Sequence, residues 1–320
     1  MKHRLLLGPV LIALVIGAFW LDEAVAGKWL GGSAYVPRGL VLMMVSVCVC
    51  AVATLELKLI FRACGIPTFR GVLLASSIAG LLVPWLVGAN VNPLTAVALT
   101  ASVATLVLCG ALLWHAYKRR PGARKKPLER GESGTDTAAE PARVYGAELR
   151  GAAAAGGAAL LTFVYLGLMF GFVLALRREH SAWTVLAVLL ITKSCDIGAF
   201  FTGTFVGRHK LIPWLSKGKT WEGLAGGVVT AAALGMLAVW LSERYQVGHL
   251  PAGVTVWLGG VYGGLFALAG QAGDLMASMF KRDAGIKDSG AIVPGFGGVL
   301  DVIDSILPVA PLAYWLLHVP

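Results

Sequence analysis

Nine long apolar segments constrain the fold of this chain more than any other feature. They lie near residues 5–21, 39–56, 72–91, 93–115, 152–176, 182–205, 223–241, 252–271 and 299–317. An α-helix needs roughly 20 residues to cross the hydrocarbon core of a bilayer. Only helices and closed barrels satisfy the backbone in lipid, and runs of this length favour helices. The sequence therefore predicts an all-α, polytopic integral membrane protein with about nine transmembrane helices.

The positive charges are distributed unevenly between the two sides of this predicted topology. With the N-terminus inside, the inner segments hold 21 of the 27 Lys and Arg residues, and the outer segments hold five. This asymmetry follows the positive-inside rule and predicts a cytoplasmic N-terminus and an external C-terminus in the cell (inner) membrane. The net charge of +10 then reflects topology and attraction to anionic headgroups of the lipid bilayer, and it does not indicate nucleic-acid binding.

The first apolar segment has an alternative interpretation. Lys2, Arg4, the apolar run and the small residues around Ala26 are also typical of a cleavable signal peptide. The run is longer than a usual signal core, and the charge count works with it retained, so we favour an uncleaved first helix. The five cysteines have no metal-binding spacing, which favours a role as small apolar core residues.

A polar stretch divides the chain into two parts. Residues 118–150 begin with a basic cluster and contain too few apolar residues to fold alone. We interpret them as a basic polar cytoplasmic linker. Residues 1–117 then form N-terminal membrane helices that serve as a scaffold or a wall for lipid. Residues 151–320 form a catalytic membrane domain, because the dense polar clusters lie there.

Ionisable residues are concentrated between Gly273 and Asp304. This stretch holds five aspartates and three basic residues, namely Asp274, Asp283, Asp288, Asp301, Asp304, Lys281, Arg282 and Lys287. Charge is costly at membrane depth, so such residues indicate a functional site. We expect Asp274 to close the eighth helix, and Asp301 and Asp304 to open the ninth on one face. Their carboxylates can bind Mg²⁺ together with substrate phosphates, although solvation of an interfacial loop is an alternative.

Two shorter polar motifs precede this stretch. Lys193 and Asp196 are three residues apart and share a helix face, which indicates either an internal ion pair or the lining of a substrate cleft. Lys217 and Lys219 can contact phosphate, and Thr220 can cap the helix that follows. Gly-Lys-Thr resembles the end of a phosphate loop. However, Pro213 stands where that loop needs glycine, so a Walker NTPase is rejected and a stop-transfer loop is the alternative.

These motifs resemble the phosphatidate cytidylyltransferase (CDP-diacylglycerol synthase) family. The residues in register with the family signature are Ser278, Lys281, Arg282, Lys287, Asp288, Gly290, Val293 or Pro294, Gly297, Gly298, Asp301 and Asp304. The segments 196–200 and 219–223 resemble two further family segments in the same order. The resemblance covers roughly residues 185–305, and residues 1–117 match only in being several membrane helices.

The resemblance implies an enzyme that converts CTP and phosphatidic acid into CDP-diacylglycerol and pyrophosphate at the cytoplasmic face. Under it, Asp274 and Asp301 hold Mg²⁺, and a second cation is left open. The implied catalytic residues are Asp288, Asp304, Lys281, Arg282 and Lys287. The implied substrate-binding residues are Asp196, Lys217, Lys219, Thr220, Ser278, Gly297 and Gly298. The implied partners are CTP, phosphatidic acid and the bilayer, and a homodimer is left open.

Two positions depart from the family pattern. Phe296 replaces a histidine and Val302 replaces an arginine. We expect activity to persist with altered phosphate contacts, while an inactive relative or one using another lipid phosphate stays open. A CTP-dependent lipid-alcohol kinase, which releases CDP, is one alternative function. A transporter or channel with intramembrane charges is an alternative of another class.

Overall fold

The protein is described here by a computed structural model. It describes residues 2–26, 29–30, 34–35, 37–87, 92–118, 151–248, 250–251, 253–287, 289–290 and 297–318. The predicted linker, residues 118–150, lies outside this set except for its first residue. The division into three regions therefore stays a prediction.

The described residues are almost entirely helical. The front half contains α1 (Lys2–Val25), the short strands β1 (Trp29–Leu30) and β2 (Ala34–Tyr35), α2 (Leu40–Ala63), α3 (Arg70–Val87) and α4 (Pro93–Lys118). The back half contains α5 (Ala152–Thr162), a π-helical turn (Phe163–Leu168), α6 (Met169–Glu179), α7 (Ala182–Phe205), β3 (Lys210–Ile212), β4 (Ser216–Thr220), α8 (Trp221–Tyr245), α9 (Val256–Asp283), α10 (Val299–Ile303) and α11 (Ile306–His318).

Seven helical stretches in the described part of the chain are long and apolar enough to cross a membrane. They comprise α2, α3, α4, the rod from α5 through α6, α7, α8, and the rod from α10 through α11. The prediction of an all-α polytopic membrane protein is confirmed. The other two predicted spans are helices α1 and α9, but they are not among the seven, so the count of nine and the cytoplasmic N-terminus stay predictions.

The helices pack as a bundle with two distinct ends. One end, which we call the loop end, carries the β3–β4 hairpin, the end of α9 and the start of α10. The opposite end, which we call the far end, carries the end of α1, the start of α2 and the connection between α6 and α7. Cys64, just after α2, contacts Asp283 at the end of α9 (Sγ to Oδ2, 3.6 Å), so the two helices finish at the same end.

A buried charge cluster, which we call the far-end clasp, joins four helices. The side chains of Arg177 and Asp22 are each 1% exposed, and Nε of the arginine lies 2.5 Å from Oδ2 of the aspartate. Glu23 pairs with the same guanidinium at 3.0 Å. Asp22 accepts a hydrogen bond from Val41 N (3.0 Å), and Glu23 accepts one from Ala182 N (2.8 Å). Charges taken out of water need such partners, so the clasp fixes α1, α2, α6 and α7 together.

The back half brings α7, α8, α9 and α11 into close contact, with α8 against both α7 and α9. Glycines allow such close approach between membrane helices. A Cβ on Gly273 of α9 would lie 2.8 Å from Pro308 Cδ of α11, which is too close for a carbon contact. The close packing at Gly273 brings Asp274 and Asp304 to one depth of the bundle.

The π-helical turn packs against α3 and places Tyr165 in the interior. The Tyr165 side chain is 1% exposed, and its ring meets Phe280 of α9 edge-on, with 5.4 Å between the centroids. Single π-turns inside α-helices are frequent at functional sites. This turn directs a phenol from the α5–α6 rod toward the helix that carries Asp274.

Candidate functional site

The β3–β4 hairpin positions Lys219 immediately before α8. Its strands are antiparallel, with Lys210 opposite Thr220. The Thr220 hydroxyl accepts a hydrogen bond from Gly223 N (3.0 Å) and caps α8, as predicted. Glu222, in the first turn of α8, accepts the backbone N–H groups of Arg208 (3.1 Å) and His209 (3.2 Å), which ties the hairpin to the helix. Lys219 is therefore held on a short, rigid element.

A polar cluster links α7, α9 and the junction between α10 and α11. Gln271 Nε2 donates to Asp196 Oδ1 (3.2 Å). Lys193 Nζ lies 3.8 Å from Asp196 Oδ2 and donates to Ser305 Oγ (2.6 Å). The predicted ion pair between Lys193 and Asp196 is thus present. Its lysine also reaches another helix, which makes it part of a larger polar surface.

Asp274 interacts with charged residues from three other parts of the back half. Its carboxylate pairs with Lys219, and it is within hydrogen-bonding reach of Asp304. Asp196 is close enough to interact electrostatically with both Asp274 and Lys219. Three carboxylates from α7, α9 and the α10–α11 junction therefore share one region with Lys193 and Lys219.

The depth of Asp274 differs from the sequence expectation. Asp274 was expected to close its helix, but α9 continues to Asp283. Nine further residues correspond to about 14 Å of helix at 1.5 Å per residue. Asp274 therefore lies within the helix and not at its end, and Lys219 of the hairpin pairs with it there.

Asp301 belongs to a separate set of contacts. Its Oδ1 accepts a hydrogen bond from Lys281 Nζ (2.6 Å). Its Oδ2 accepts from Ser289 Oγ (2.9 Å), Ser289 N (3.2 Å) and Gly298 N (3.0 Å). Gly297 has a φ of 91°, in the left-handed region that favours glycine. Asp301 therefore reaches back over the start of its own helix, as a carboxylate at the third helical position often does.

Asp301 and Asp304, three residues apart, have different partners. Asp304 lies against Asp274, whereas Asp301 lies against Lys281 and Ser289. Sharing of one metal ion by Asp274 and Asp301 stays a prediction, and Asp304 is a carboxylate near enough to interact directly with Asp274.

The donor chemistry of this region is compatible with a hard cation. Within the described ranges, no three His, Cys, Asp or Glu side chains converge to hold a metal ion by themselves. Mg²⁺ is commonly bound by one or two carboxylates, with waters and substrate phosphates as its other ligands. Asp274 and Asp304 supply such a pair, so the residues present fit a Mg²⁺ ion that arrives with a nucleotide.

The other predicted site residues have no described contact with Asp274, Asp304 or Asp301. Lys217, Arg282 and Lys287 are exposed near the loop end, without an ion pair to another described residue. Ser278 is half-buried on α9, one turn from Lys281. Asp288 and Phe296, the residue that replaces the family's histidine, lie outside the described residues.

Two buried side chains near the site were not found by sequence reasoning. Glu56 of α2 is 1% exposed and accepts hydrogen bonds from Val299 N (2.9 Å) and Leu300 N (2.8 Å) at the start of α10. The sequence feature that could have identified Glu56 is its position as a lone carboxylate in an apolar segment. Tyr165 carries a buried hydroxyl without a hydrogen-bond partner among the described residues. This hydroxyl is close enough to Asp304 and Asp274 to interact with them electrostatically. Nothing in the sequence marked this tyrosine.

Comparison with known proteins gives consistent results. The sequence matches the model of the family described as "Cytidylyltransferase family" over residues 2–319. A phosphatidate cytidylyltransferase of Mycobacterium tuberculosis (strain H37Rv) is 37% identical over 158 residues, which cover 49% of this chain and 45% of that protein. The protein of that name from Haemophilus influenzae is 38% identical over 150 residues, covering 43% of this chain and 49% of the relative. The chain spans about half the length of these curated relatives.

Proposed function

The chain belongs to the cytidylyltransferase family, and we propose that it transfers the CMP group of CTP to phosphatidic acid, forming CDP-diacylglycerol and pyrophosphate. Relatives named phosphatidate cytidylyltransferase, at 37% and 38% identity, support this choice of substrates. The proposal also covers the placement of the reaction at the cytoplasmic face of the cell membrane, which the charge asymmetry of the sequence supports.

The observation that carries the proposal is the pairing of acidic and basic side chains within an otherwise apolar bundle of helices. Lys193 and Lys219 each contact a carboxylate, Asp196 and Asp274 respectively. Lys193 lies on α7, and Lys219 lies on β4, in the connection from α7 to α8. Phosphate oxygens of a nucleotide or a lipid can replace these carboxylates as partners of the ammonium groups. Such a region suits two polyanionic reactants that must approach each other.

The chemistry requires charge neutralisation and alignment more than proton transfer. A phosphate oxygen of phosphatidic acid attacks the α-phosphorus of CTP. The bond from that phosphorus to the bridging oxygen of the β-phosphate breaks, and pyrophosphate leaves with the electron pair. The phosphatidate dianion needs no general base. Lys219 and Lys193 would hold phosphate oxygens in line, and preorganised charges of this kind lower the barrier for such transfers.

Asp274 and Asp304 would hold Mg²⁺ under this proposal, with Asp196 and Gln271 supporting them. The cation would neutralise negative charge on the transferring and leaving phosphates. Asp301, paired with Lys281, would lie beside this metal site. The prediction that Asp301 is itself a metal ligand can be tested with Asp301→Asn.

The proposal is tested with protein purified in detergent and supplied with CTP, Mg²⁺ and phosphatidic acid. We expect pyrophosphate and CDP-diacylglycerol in equal amounts, with neither formed when phosphatidic acid or Mg²⁺ is omitted. Asp274→Asn should remove both products. The matched control is Asp283→Asn, an exposed aspartate at the end of the same helix, which should retain near-normal turnover.

The products also separate the alternatives. Release of CDP with a phosphorylated lipid alcohol would establish a CTP-dependent kinase and refute the proposal. Absence of any CTP-derived product, together with solute movement in sealed vesicles, would establish a transporter instead.

A further inference from the structure

We propose that Glu56, on a helix of the front half, is a positioning residue that holds the Asp301-bearing segment in its catalytic geometry. The kinetic part of this inference rests on the proposed function. The structural part, that Glu56 fixes Ser289 and the start of α10, can be measured independently of any activity.

The Glu56 carboxylate occupies an unusual environment. It is 1% exposed in an apolar helix that is long enough to cross the membrane. It forms no ion pair with any Lys or Arg of the described ranges. A buried carboxylate is costly unless hydrogen-bond donors surround it. Glu56 must therefore depend on neutral donors, and these lie on another part of the chain.

The donors come from the start of α10, more than 230 residues away in sequence. Val299 N donates to Oε1 at 2.9 Å, and Leu300 N donates to Oε2 at 2.8 Å. The first backbone N–H groups of a helix have no partner within the helix. Glu56 supplies that partner from α2, so one carboxylate fixes where α10 begins.

Ser289 connects this carboxylate to Asp301. Its hydroxyl lies 3.3 Å from Glu56 Oε2 and 2.9 Å from Asp301 Oδ2. The single hydroxyl proton can be donated to only one of these carboxylates at a time, and Asp301 is the nearer acceptor, so the buried serine links one carboxylate from each half of the chain. A shift of either carboxylate changes the hydrogen-bonding geometry of the other.

Two glycines leave the space that Glu56 occupies. A Cβ on Gly290 would lie 2.7 Å from Glu56 Oε1, and a Cβ on Gly298 would lie 2.7 Å from Glu56 Cδ. Both distances are too short for real contacts, so any side chain at either position would displace the carboxylate. The segment that carries Asp301 is thus shaped around Glu56.

The first test is the change Glu56→Gln, which keeps the shape of the side chain but turns one acceptor into a donor facing a backbone N–H. We expect kcat for pyrophosphate release to fall about tenfold to a hundredfold, because small misplacements of catalytic groups cost that much. The KM for CTP should change by less than about threefold, since Glu56 contacts no substrate. Glu56→Asp, which keeps the charge and both acceptors, should recover part of kcat.

The matched control is Glu23→Gln at the far end. Glu23 also accepts a backbone N–H, from Ala182 at 2.8 Å, and it pairs with Arg177. This variant should lose thermal stability but keep kcat within about twofold of the wild type. A comparable loss of kcat in both variants would show that general destabilisation explains the effect, and would overturn the proposal.

A double-mutant cycle with Ser289→Ala tests the route through Asp301. If Glu56 acts through this serine, the combined loss in kcat should be clearly smaller than the product of the two single losses. Fully multiplicative losses would mean that the two residues act independently, and would overturn the proposed route.

Amide hydrogen exchange supplies the readout that needs no catalysis. In Glu56→Gln, peptides that contain the amides of Val299 and Leu300 should exchange about tenfold faster than in the wild type, because charge-assisted hydrogen bonds to these amides are lost. Glu23→Gln should leave these peptides unchanged. Unchanged exchange in Glu56→Gln would refute the proposal. If the wild type releases no pyrophosphate, the proposed function fails, and exchange alone decides whether Glu56 holds this segment.

Discussion

Lys219→Met offers the sharpest test of the site built from the back half. Lys219 is the cation in contact with Asp274, and the two side chains are only 20% and 32% exposed. Methionine keeps much of the apolar length of the lysine side chain but removes its charge. The change leaves Asp274 facing Asp304 without the hairpin's ammonium group, and it removes one proposed ligand of the CTP phosphates.

The size of the effect follows from the kind of contact that is lost. A hydrogen bond to a charged group contributes about 1.5–3 kcal/mol. At 1.4 kcal/mol per factor of ten, this corresponds to a loss of roughly tenfold to 150-fold in kcat/KM for CTP. The partial exposure of both side chains favours the lower half of that range, since water screens the interaction.

The assay is pyrophosphate release at varied CTP with saturating phosphatidic acid. The matched control is Lys210→Met, which removes the same charge from the exposed side of the same hairpin and should keep kcat/KM within about twofold. Equal losses in the two variants would attribute the effect to the general charge of the hairpin. Normal kcat/KM in Lys219→Met would refute the assignment of this lysine to the nucleotide phosphates.

Three further outcomes are expected. Asp274→Asn and Asp301→Asn should each nearly abolish pyrophosphate release while the protein still inserts into membranes, and near-normal turnover in either would remove that residue from the proposed metal and phosphate site. Gly273→Ala should destabilise the protein by about 1–3 kcal/mol in thermal unfolding and lower activity, because the new methyl group would collide with the facing helix. Gly264→Ala, whose methyl group would meet its nearest atom at an ordinary 3.7 Å, should be close to neutral. Tyr165→Phe should leave stability unchanged, because the hydroxyl has no partner to lose among the described residues. A fall of about tenfold in kcat/KM would assign that hydroxyl to a substrate phosphate, and normal kinetics would exclude it.

The fold class could be predicted from the sequence because the length of an apolar segment depends only on neighbouring residues in the chain. Seven of the nine predicted segments meet the length and hydropathy of a membrane span in the described ranges. The segment near 252–271 was placed too short, since Gln271, Asp274 and Lys281 interrupt its apolar pattern while the helix continues to Asp283. A polar residue that is paired by another part of the fold does not end a helix, and the partner of Asp274, Lys219 of the hairpin, is distant in sequence.

The site was only partly accessible for the same reason. Sequence spacing placed Lys193 with Asp196 and predicted the Thr220 cap, because both are contacts within a few residues. The approach of Asp304 to Asp274 depends on how the α10–α11 junction packs against Gly273 of α9, which sequence spacing does not reveal. Glu56 contributes from a region expected to be only a scaffold, since its partners are backbone groups that carry no sequence signal.

The far-end clasp makes the second half of the chain depend on its first helix. Both carboxylates that pair with Arg177, Asp22 and Glu23, belong to α1. A shortened version that starts after Ala26 would leave a guanidinium stranded in an apolar interior, and removing one partner of a buried pair costs about 3–5 kcal/mol. Truncations made for expression or crystallisation should therefore retain α1, or combine the cut with Arg177→Met so that no orphan charge remains.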